Sequence, residues 1–295
     1  MGKTREIKKR IKAVGNIKRI TRTMQMIATS KFARAQQRAT ATKPYTEGVF
    51  NLVSELAETA GNLDHPLING PDSGFKSDAK ELTLLITSDR GLCGPYNGNI
   101  LRTATNLFKK NPDTRAGDIE LVGKKGEAFL KFNGIPVSQS HSLGDSPTFA
   151  QIEELAESYM ERFIAGEITA VRVIYMRFIS AGKQTPEVLN LLPLKPPSAG
   201  GDESKPTGTT LQYEFSPNAT ELLAELLPST VKASLFQAFN DAIVSEHVAR
   251  MVAMKAATDN AGSMGKGLTR VYNRARQAQI TTELTEIISG AAALD

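Results

Sequence analysis

The last stretch of the chain decides its fold: residues 229–294 read STVKASLFQAFNDAIVSEHVARMVAMKAATDNAGSMGKGLTRVYNRARQAQITTELTEIISGAAAL. No proline interrupts it, and apolar or small side chains recur every three to four positions, which predicts one long α-helix. At 1.5 Å per residue this helix would be roughly 90 Å long, several times an ordinary domain helix. It therefore needs a partner helix and, we expect, a surrounding protein. Its predicted buried stripe is Val231, Leu235, Phe239, Ile243, Val248, Met251, Ala257, Ala261, Leu268, Val271, Ala275, Leu284 and Ile287.

A second helical pattern occupies the other end of the chain, at residues 4–56. Lys and Arg fill most of its faces, and Pro44 predicts a kink or a division of the helix. The mean spacing of its apolar residues is below 3.6, which favours a left-handed supercoil with another long helix. We therefore predict that the two ends of the chain pair as an antiparallel coiled coil. The predicted N-terminal stripe is Ile7, Ile11, Val14, Ile17, Ile20, Met24, Ile27 and Phe32.

Between the two helices the hydrophobic period changes to that of alternating short strands and helices. This alternation predicts a Rossmann-like α/β domain with a mainly parallel sheet, and hence segments 1–60 (helix), 61–217 (α/β domain) and 218–295 (helix). The strand at 170–180 alternates apolar and polar residues, so one of its faces should be exposed. Loops are predicted at 61–80 and 195–210. Strands are predicted at 81–88, 118–123, 170–180, 187–192 and 211–215, and helices at 97–110, 125–133 and 148–166.

The positive charge of the chain is concentrated at its N-terminal end. Residues 1–43 hold thirteen Lys or Arg against one acid, whereas residues 44–249 carry a net charge of −9 and residues 250–295 one of +2. An acidic partner should therefore meet the N-terminal helix. The sequence contains no apolar run of membrane-spanning length and no signal-peptide block, and the lone Cys93 excludes an internal disulfide.

The usual signatures of an enzyme site are missing from the sequence. We find no G-x-x-x-x-G-K-[ST] phosphate loop, no G-x-G-x-x-G after a predicted strand, and no histidine at metal-ligand spacing, so we expect no cofactor and no metal. Cys93, in SDRGLCG (88–94), is the one candidate nucleophile, because a position near a helix N-terminus can lower a thiol pKa. No histidine is near it in sequence, so we favour a buried structural cysteine over a thiol-dependent enzyme.

The basic N-terminal helix admits three interpretations. It can follow a nucleic-acid backbone, it can face acidic loops of a protein ring, or its charges can simply be solvated. No aromatic residue precedes Phe32, and the apolar stripe suits a partner helix, which argues against nucleic acid. The far end of the C-terminal helix, residues 287–294, is apolar or small apart from Ser289, which is typical of a segment that sits in a partner.

Four stretches closely resemble the gamma subunit family of F-type ATP synthases: ITRTMQMIATSKFARAQ (20–36), SDRGLCG (88–94), RMVAMKAATDNAGS (250–263) and YNRARQAQITTELTEIISGAAAL (272–294). The resemblance implies a non-catalytic central stalk, whose coiled coil enters a ring of three alpha and three beta subunits. It also implies that the α/β domain rests on the membrane rotor ring, the c-ring, together with the epsilon subunit. Such a stalk is peripheral to the bacterial inner membrane, at its cytoplasmic face, and couples proton flow to ATP synthesis.

Matching positions carry the contact residues of the family over to this chain. Met24, with Arg22 and Lys31 around it, corresponds to positions near an acidic loop of the catalytic subunit. Arg276 and Gln277 match residues that hydrogen-bond another loop of that subunit. The set associated with coupling and shaft stability is Arg250, Gln277, Thr281, Glu283 and Thr285.

The resemblance also has looser points. Glu214 would lie near the rotor ring and the epsilon subunit, although the strand around it aligns loosely. Pro95 and Tyr96 stand where the family often has Gly and Phe, and the length of the 195–210 loop varies within the family. The cysteine-bearing insert of chloroplast members is absent, which predicts no thiol control.

Overall fold

The computed structural model describes residues 2–60, 65–72, 74–194 and 219–292. The chain forms two compact units, Met1–Lys31 with Ala249–Asp295, and Phe32–Val248. The first unit thus combines the two ends of the chain, whereas the second is one continuous stretch. The three-segment division at residues 60 and 217 remains a prediction.

Two long helices dominate the chain: α1 spans Gly2–Ala60 and α7 spans Ala219–Ala292. Helix α7 begins before the predicted stretch and includes Pro228. Helix α1 continues through Pro44, so a division there was wrong. A proline removes only one amide donor from the helix. Thr46 and Val49 in the next turn are buried, and this packing keeps the helix continuous.

In the first unit, α1 and α7 pair in antiparallel fashion. The Thr4 hydroxyl donates to Gln279 Oε1 at 2.9 Å, and Thr258 Oγ1 lies 2.9 Å from Thr21 Oγ1. The residue number on α1 rises from 4 to 21 while that of its partner on α7 falls from 279 to 258, so the two helices run in opposite directions. The predicted antiparallel coiled coil is confirmed.

The contact seam of this coiled coil follows a heptad pattern on both helices. It differs from the predicted N-terminal stripe, because Ile17, Ile20 and Ile27 are 52%, 57% and 54% exposed. A helix with several apolar rows can present only one of them to a single partner. The heptad positions of the seam are Thr4, Ile7, Ile11, Val14, Thr21, Gln25 and Ala28 on α1, and Met251, Met254, Thr258, Ala261, Gly265, Leu268, Tyr272, Ala275 and Gln279 on α7. Residues that flank these positions and are also half-buried are Met24, Lys31, Ala249, Arg250, Ala253, Ala257 and Gly262.

Small side chains at the seam set how closely the helices approach, and this yields a testable prediction. Ala28 is buried, whereas Ala13 on the same helix is exposed. We expect Ala28→Leu to destabilise the chain by about 1–3 kcal/mol, because extra methylenes in a packed site force side chains and backbone to shift. Urea unfolding followed by far-ultraviolet circular dichroism measures the loss. Ala13→Leu is the control, and equal losses in both variants would contradict the tight seam.

The second unit contains a five-stranded sheet in the order β3-β2-β1-β4-β5. Strands β1 to β4 are parallel, and β5 runs antiparallel to β4. The strands are β1 Lys80–Ile86, β2 Asp118–Val122, β3 Gln139–His141, β4 Ile168–Ser180 and β5 Lys183–Leu192. The shorter helices are α2 Pro66–Asn69, α3 Tyr96–Lys110, α4 Pro112–Ala116, α5 Lys124–Phe132 and α6 Phe149–Ile164. The predicted Rossmann-like α/β class is therefore confirmed.

Three short elements escaped prediction: α2 inside the expected 61–80 loop, α4, and β3. Each is five residues or shorter, too short to show a helical or strand period. The strand predicted at 211–215, the loop at 195–210 and Glu214 lie outside the described residues.

The expected exposed face of the strand at 170–180 was wrong for its first half. Four consecutive residues, Val173 to Met176, are buried. Val171, Val173 and Tyr175 pack in the main core with α6 and α7, and α3 also contacts β4, so helices rather than solvent meet this part of the strand. The main core joins side chains of β4 to those of the second-unit parts of α1 and α7 and to α6, including Val49, Val53, Leu56, Tyr159, Phe163, Val171, Val173, Val231, Leu235 and Phe239.

A buried ion network ties the edge of the sheet to α6. The carboxylate of Glu120, 2% exposed, accepts hydrogen bonds from Tyr159 Oη at 2.7 Å and Arg162 Nη1 at 2.9 Å, and lies 2.7 Å from His141 Nε2. Arg162 Nη2 also donates to Asp118 Oδ2 at 2.9 Å. Burial alone would raise the pKa of Glu120, but the hydrogen bonds from His141 and Tyr159, together with the positive charges nearby, lower it overall.

Candidate partner interface

The outer surface of the first unit carries an apolar row that the seam leaves uncovered. Ile17, Ile20 and Ile27 lie on α1 with more than half of each side chain exposed. Residues 1–31 also hold ten Lys or Arg and one acid, Glu6, which pairs with Arg10 at 2.6 Å. An exposed apolar row bordered by cations is typical of a surface that binds an acidic protein partner.

The C-terminal part of α7 extends past the seam as a single helix. From Ile280 to Gly290 every residue is exposed, including Leu284 at 57% and Ile287 at 70%. A lone helix of this length with apolar side chains in water is marginal by itself. The segment therefore has the composition of a helix end that a partner encloses.

Local hydrogen bonds hold the polar side chains on this part of α7. The Thr281 hydroxyl donates to the Gln277 carbonyl at 3.0 Å, and that of Thr285 to the Thr281 carbonyl at 2.8 Å. Gln279 Nε2 donates to Glu283 Oε1 at 2.8 Å. The side chains of Arg276 and Gln277 are exposed, on turns whose seam side is taken by Ala275 and Gln279. They are thus placed to contact another molecule.

The structure brings the predicted contact residues together in two groups, both in the first unit. The first group contains Arg22, Met24 and Lys31 on α1, with Arg250 on α7. The antiparallel register places Arg250 at about the same level as Lys31. The second group, Arg276, Gln277, Thr281, Glu283 and Thr285, starts about 39 Å farther along α7 at 1.5 Å per residue. A partner that contacts both groups must extend along the shaft.

The second unit has the sheet edge at which α/β folds commonly bind ligands. In parallel α/β sheets, nucleotides bind at the carboxyl ends of the strands. Here that edge, at Thr87, Gly123 and His141, encloses a cavity of about 30 Å³, because Phe239 and Ile243 of α7 fill the space. Such a cavity holds about one water molecule and no nucleotide. Among the residues that the structure describes, no cluster of His, Cys, Asp or Glu has metal-binding geometry.

Cys93 is buried in the turn before α3. Asn97 Nδ2 lies 3.3 Å from its Sγ atom, and Ser88 Oγ lies 3.6 Å away. These contacts hold the thiol inside the turn. The turn requires unusual backbone at Leu92 and Gly94, which have φ angles of 63° and 56°.

Sequence reasoning missed two polar features of the second unit. One is the Glu120 network, and the other is Asp241, a half-buried carboxyl on α7. A charged residue inside the apolar run AFNDAIV (238–244) was the available signal for Asp241. No comparable signal marked Glu120, because its partners lie on elements distant in sequence.

Comparisons with known proteins agree with this architecture. The family described as "ATP synthase" matches residues 3–294. The chain is 42% identical over the full length of both proteins to the ATP synthase gamma chain of Rhodopirellula baltica, and 40% identical, again over full length, to that of Actinobacillus pleuropneumoniae. These relatives give no support to the nucleic-acid interpretation.

Solved structures show the same fold. A chain of the rotor of the Euglena gracilis mitochondrial ATP synthase is similar with a TM-score of 0.63 and 19% identity, covering 95% of this chain and 99% of that one. A chain of the Tetrahymena thermophila mitochondrial central stalk and c-ring structure has a TM-score of 0.57 and 21% identity, covering 81% and 99%. Within the part of this chain that is described, no helix is both long and apolar enough to span a membrane.

Proposed function

The chain belongs to the gamma-chain family of ATP synthases, and from this premise we propose that it is the rotating central stalk of a bacterial F1Fo enzyme. Its partners are an alpha3–beta3 hexamer around the coiled coil, and an epsilon subunit and the membrane c-ring next to the α/β domain. It binds no nucleotide of its own and performs no bond chemistry. It works at the cytoplasmic face of the membrane, as a peripheral subunit.

The observation that carries this proposal is the two-helix shaft with an uncovered apolar, basic surface and a single-helix end. Three chemically identical catalytic sites can differ in affinity only if each meets a different contact. An asymmetric shaft inside a threefold ring supplies that difference, and its rotation moves each site through every affinity in turn. Arg22, Met24, Lys31 and Arg250 contact the ring at one level, and Arg276, Gln277, Thr281, Glu283 and Thr285 at another. Glu214 is assigned, by resemblance alone, to the rotor-ring end.

Subunit stoichiometry tests the proposal directly. We expect that purification through a tag on the catalytic beta subunit recovers this chain once for every three beta copies, because one shaft fills one threefold ring. Quantitative mass spectrometry of the purified complex measures the ratio. A beta-subunit complex that lacks the chain would contradict the proposal, as would sequence-specific binding of the isolated chain to duplex DNA at physiological salt.

A further inference from the structure

A cavity of about 470 Å³ lies within the second unit, bordered by α1, the β4–β5 hairpin and α7. This volume falls in the range of ligand pockets, roughly 300–1,000 Å³. The space is partly open to solvent, so a small molecule can enter it. The charged and titratable residues that border it are Lys43 from α1, Tyr175, Arg177 and Glu187 from the hairpin, and Asp241 from α7.

The carboxylate of Asp241 borders this cavity. It accepts a hydrogen bond from Gln237 Nε2 at 2.9 Å, and the backbone of Phe178 also bonds to it. Burial nevertheless raises the pKa of Asp241 to about 6, and these hydrogen bonds and the charge of Arg177 offset the burial only in part. Arg177 is itself paired with Glu187 at 3.3 Å. Among the described residues Asp241 forms no salt bridge, and Arg177, the cation that acts on it, is shared with Glu187.

The wall that carries Asp241 also has an unsatisfied acceptor. Among the described residues, Gln237 Oε1 is a buried oxygen with no hydrogen-bond partner. Burial raises the pKa of Tyr175, and the negative charges of Glu187 and Asp241 raise it further. The charges that border the cavity balance, Lys43 and Arg177 against Glu187 and Asp241. The feature that selects a ligand is the unsatisfied Gln237 oxygen next to the Asp241 carboxylate, and a positively charged group with N–H donors complements that pair.

We propose that this cavity binds a small organic cation with N–H donors, a primary ammonium or a guanidinium, and that the carboxylate of Asp241 is its counter-ion. Such a ligand supplies a donor for Gln237 Oε1 and a positive charge next to Asp241, and the cavity also accommodates a short aliphatic chain. All the residues that border the site belong to the second unit. Its existence does not depend on whether the chain is a central stalk.

Agmatine, which carries both an ammonium and a guanidinium, is the probe for this site. We expect one molecule to bind per full-length chain in isothermal titration calorimetry at about pH 7.5, where a carboxyl of pKa near 6 is ionised. Asp241→Asn should weaken binding by about tenfold or more, because it removes a charge-assisted hydrogen bond. In the native chain, the affinity for agmatine should also fall by up to about tenfold per pH unit below pH 6, because Asp241 becomes protonated. The affinity of Asp241→Asn should not show this fall.

Two controls make the outcome decisive. Glu225→Gln makes the same change of charge at an exposed position of α7 that does not border the cavity, and it should leave agmatine binding unchanged. The uncharged N-butylurea should not bind. Circular dichroism and a thermal midpoint no lower than that of the native chain establish that Asp241→Asn is folded. Absence of agmatine binding, equal binding to Asp241→Asn, or binding independent of pH would each overturn the proposal.

Discussion

Replacing Arg276 and Gln277 together with alanine is expected to reduce ATP-driven proton pumping by about tenfold or more, because a loss of about 1.4 kcal/mol of coupling free energy is tenfold. Both side chains are exposed on α7, beside the seam rather than in it. The coiled coil should therefore persist while polar contacts with the ring disappear. Pumping is measured by fluorescence quenching in inverted membrane vesicles, with the ATP hydrolysis rate and subunit content measured in the same vesicles.

A matched control separates coupling from a general effect of losing polar surface. Arg102→Ala with Asn106→Ala also removes one arginine and one amide, spaced one turn apart on the exposed face of α3. We expect this variant to pump like the native enzyme. Unchanged pumping in the Arg276 and Gln277 variant would remove these residues from the coupling surface, and loss of the whole complex would assign them to assembly.

Glu120→Gln is expected to destabilise the chain by about 3–5 kcal/mol, the cost of breaking a buried ion pair by removing one partner. The substitution keeps the shape of the side chain but leaves Arg162 with only Asp118 as a charged partner. The amide also brings donors into a pocket where Tyr159 already donates. Urea unfolding near neutral pH measures the effect. Glu127→Gln, at an exposed position of α5, is the control and should change stability little.

The same variant should also differ from the native chain in its stability towards acid. The folded-state pKa of Glu120 lies below the ordinary value of 4.5, so its ionised form stabilises the native chain. This contribution to the free energy of unfolding is fully present above pH 4.5, and it is lost as the pH falls through the lowered folded-state pKa. The native chain should therefore lose stability more steeply than Glu120→Gln over this acid range. Parallel acid-unfolding curves for the two proteins would show that the network does not stabilise the ionised carboxylate.

The periodic parts of the fold were predictable from the sequence because period is a local property. The two long helices, their pairing and most strands follow from apolar spacing alone. Which row of α1 forms the seam was not predictable, because Ile17 and Ile20 are as apolar as Ile7 and Val14. That choice depends on the partner helix, whose seam carries small residues such as Ala261 and Gly265.

Some residues of the candidate sites could likewise be predicted from the sequence and others could not. The polar positions on the far half of α7 stood out because they interrupt an apolar pattern, and the resemblance then assigned them to a partner surface. Asp241 and Glu120 act through neighbours on other elements, such as Phe178 and Tyr159. Side chains brought together by tertiary packing leave no mark on local sequence, so their chemistry emerges only in three dimensions.

The pairing of the two ends of the chain also constrains when the shaft can form. Thr4 and its partner Gln279 are 275 residues apart, so a ribosome working at about 5–20 residues per second needs roughly 14–55 s to make the second after the first. For that interval the seam face of α1, with Ile7 and Val14, has been synthesised without its complement. Because like charges repel, the ten Lys and Arg of residues 1–31 should disfavour association between nascent copies during that interval.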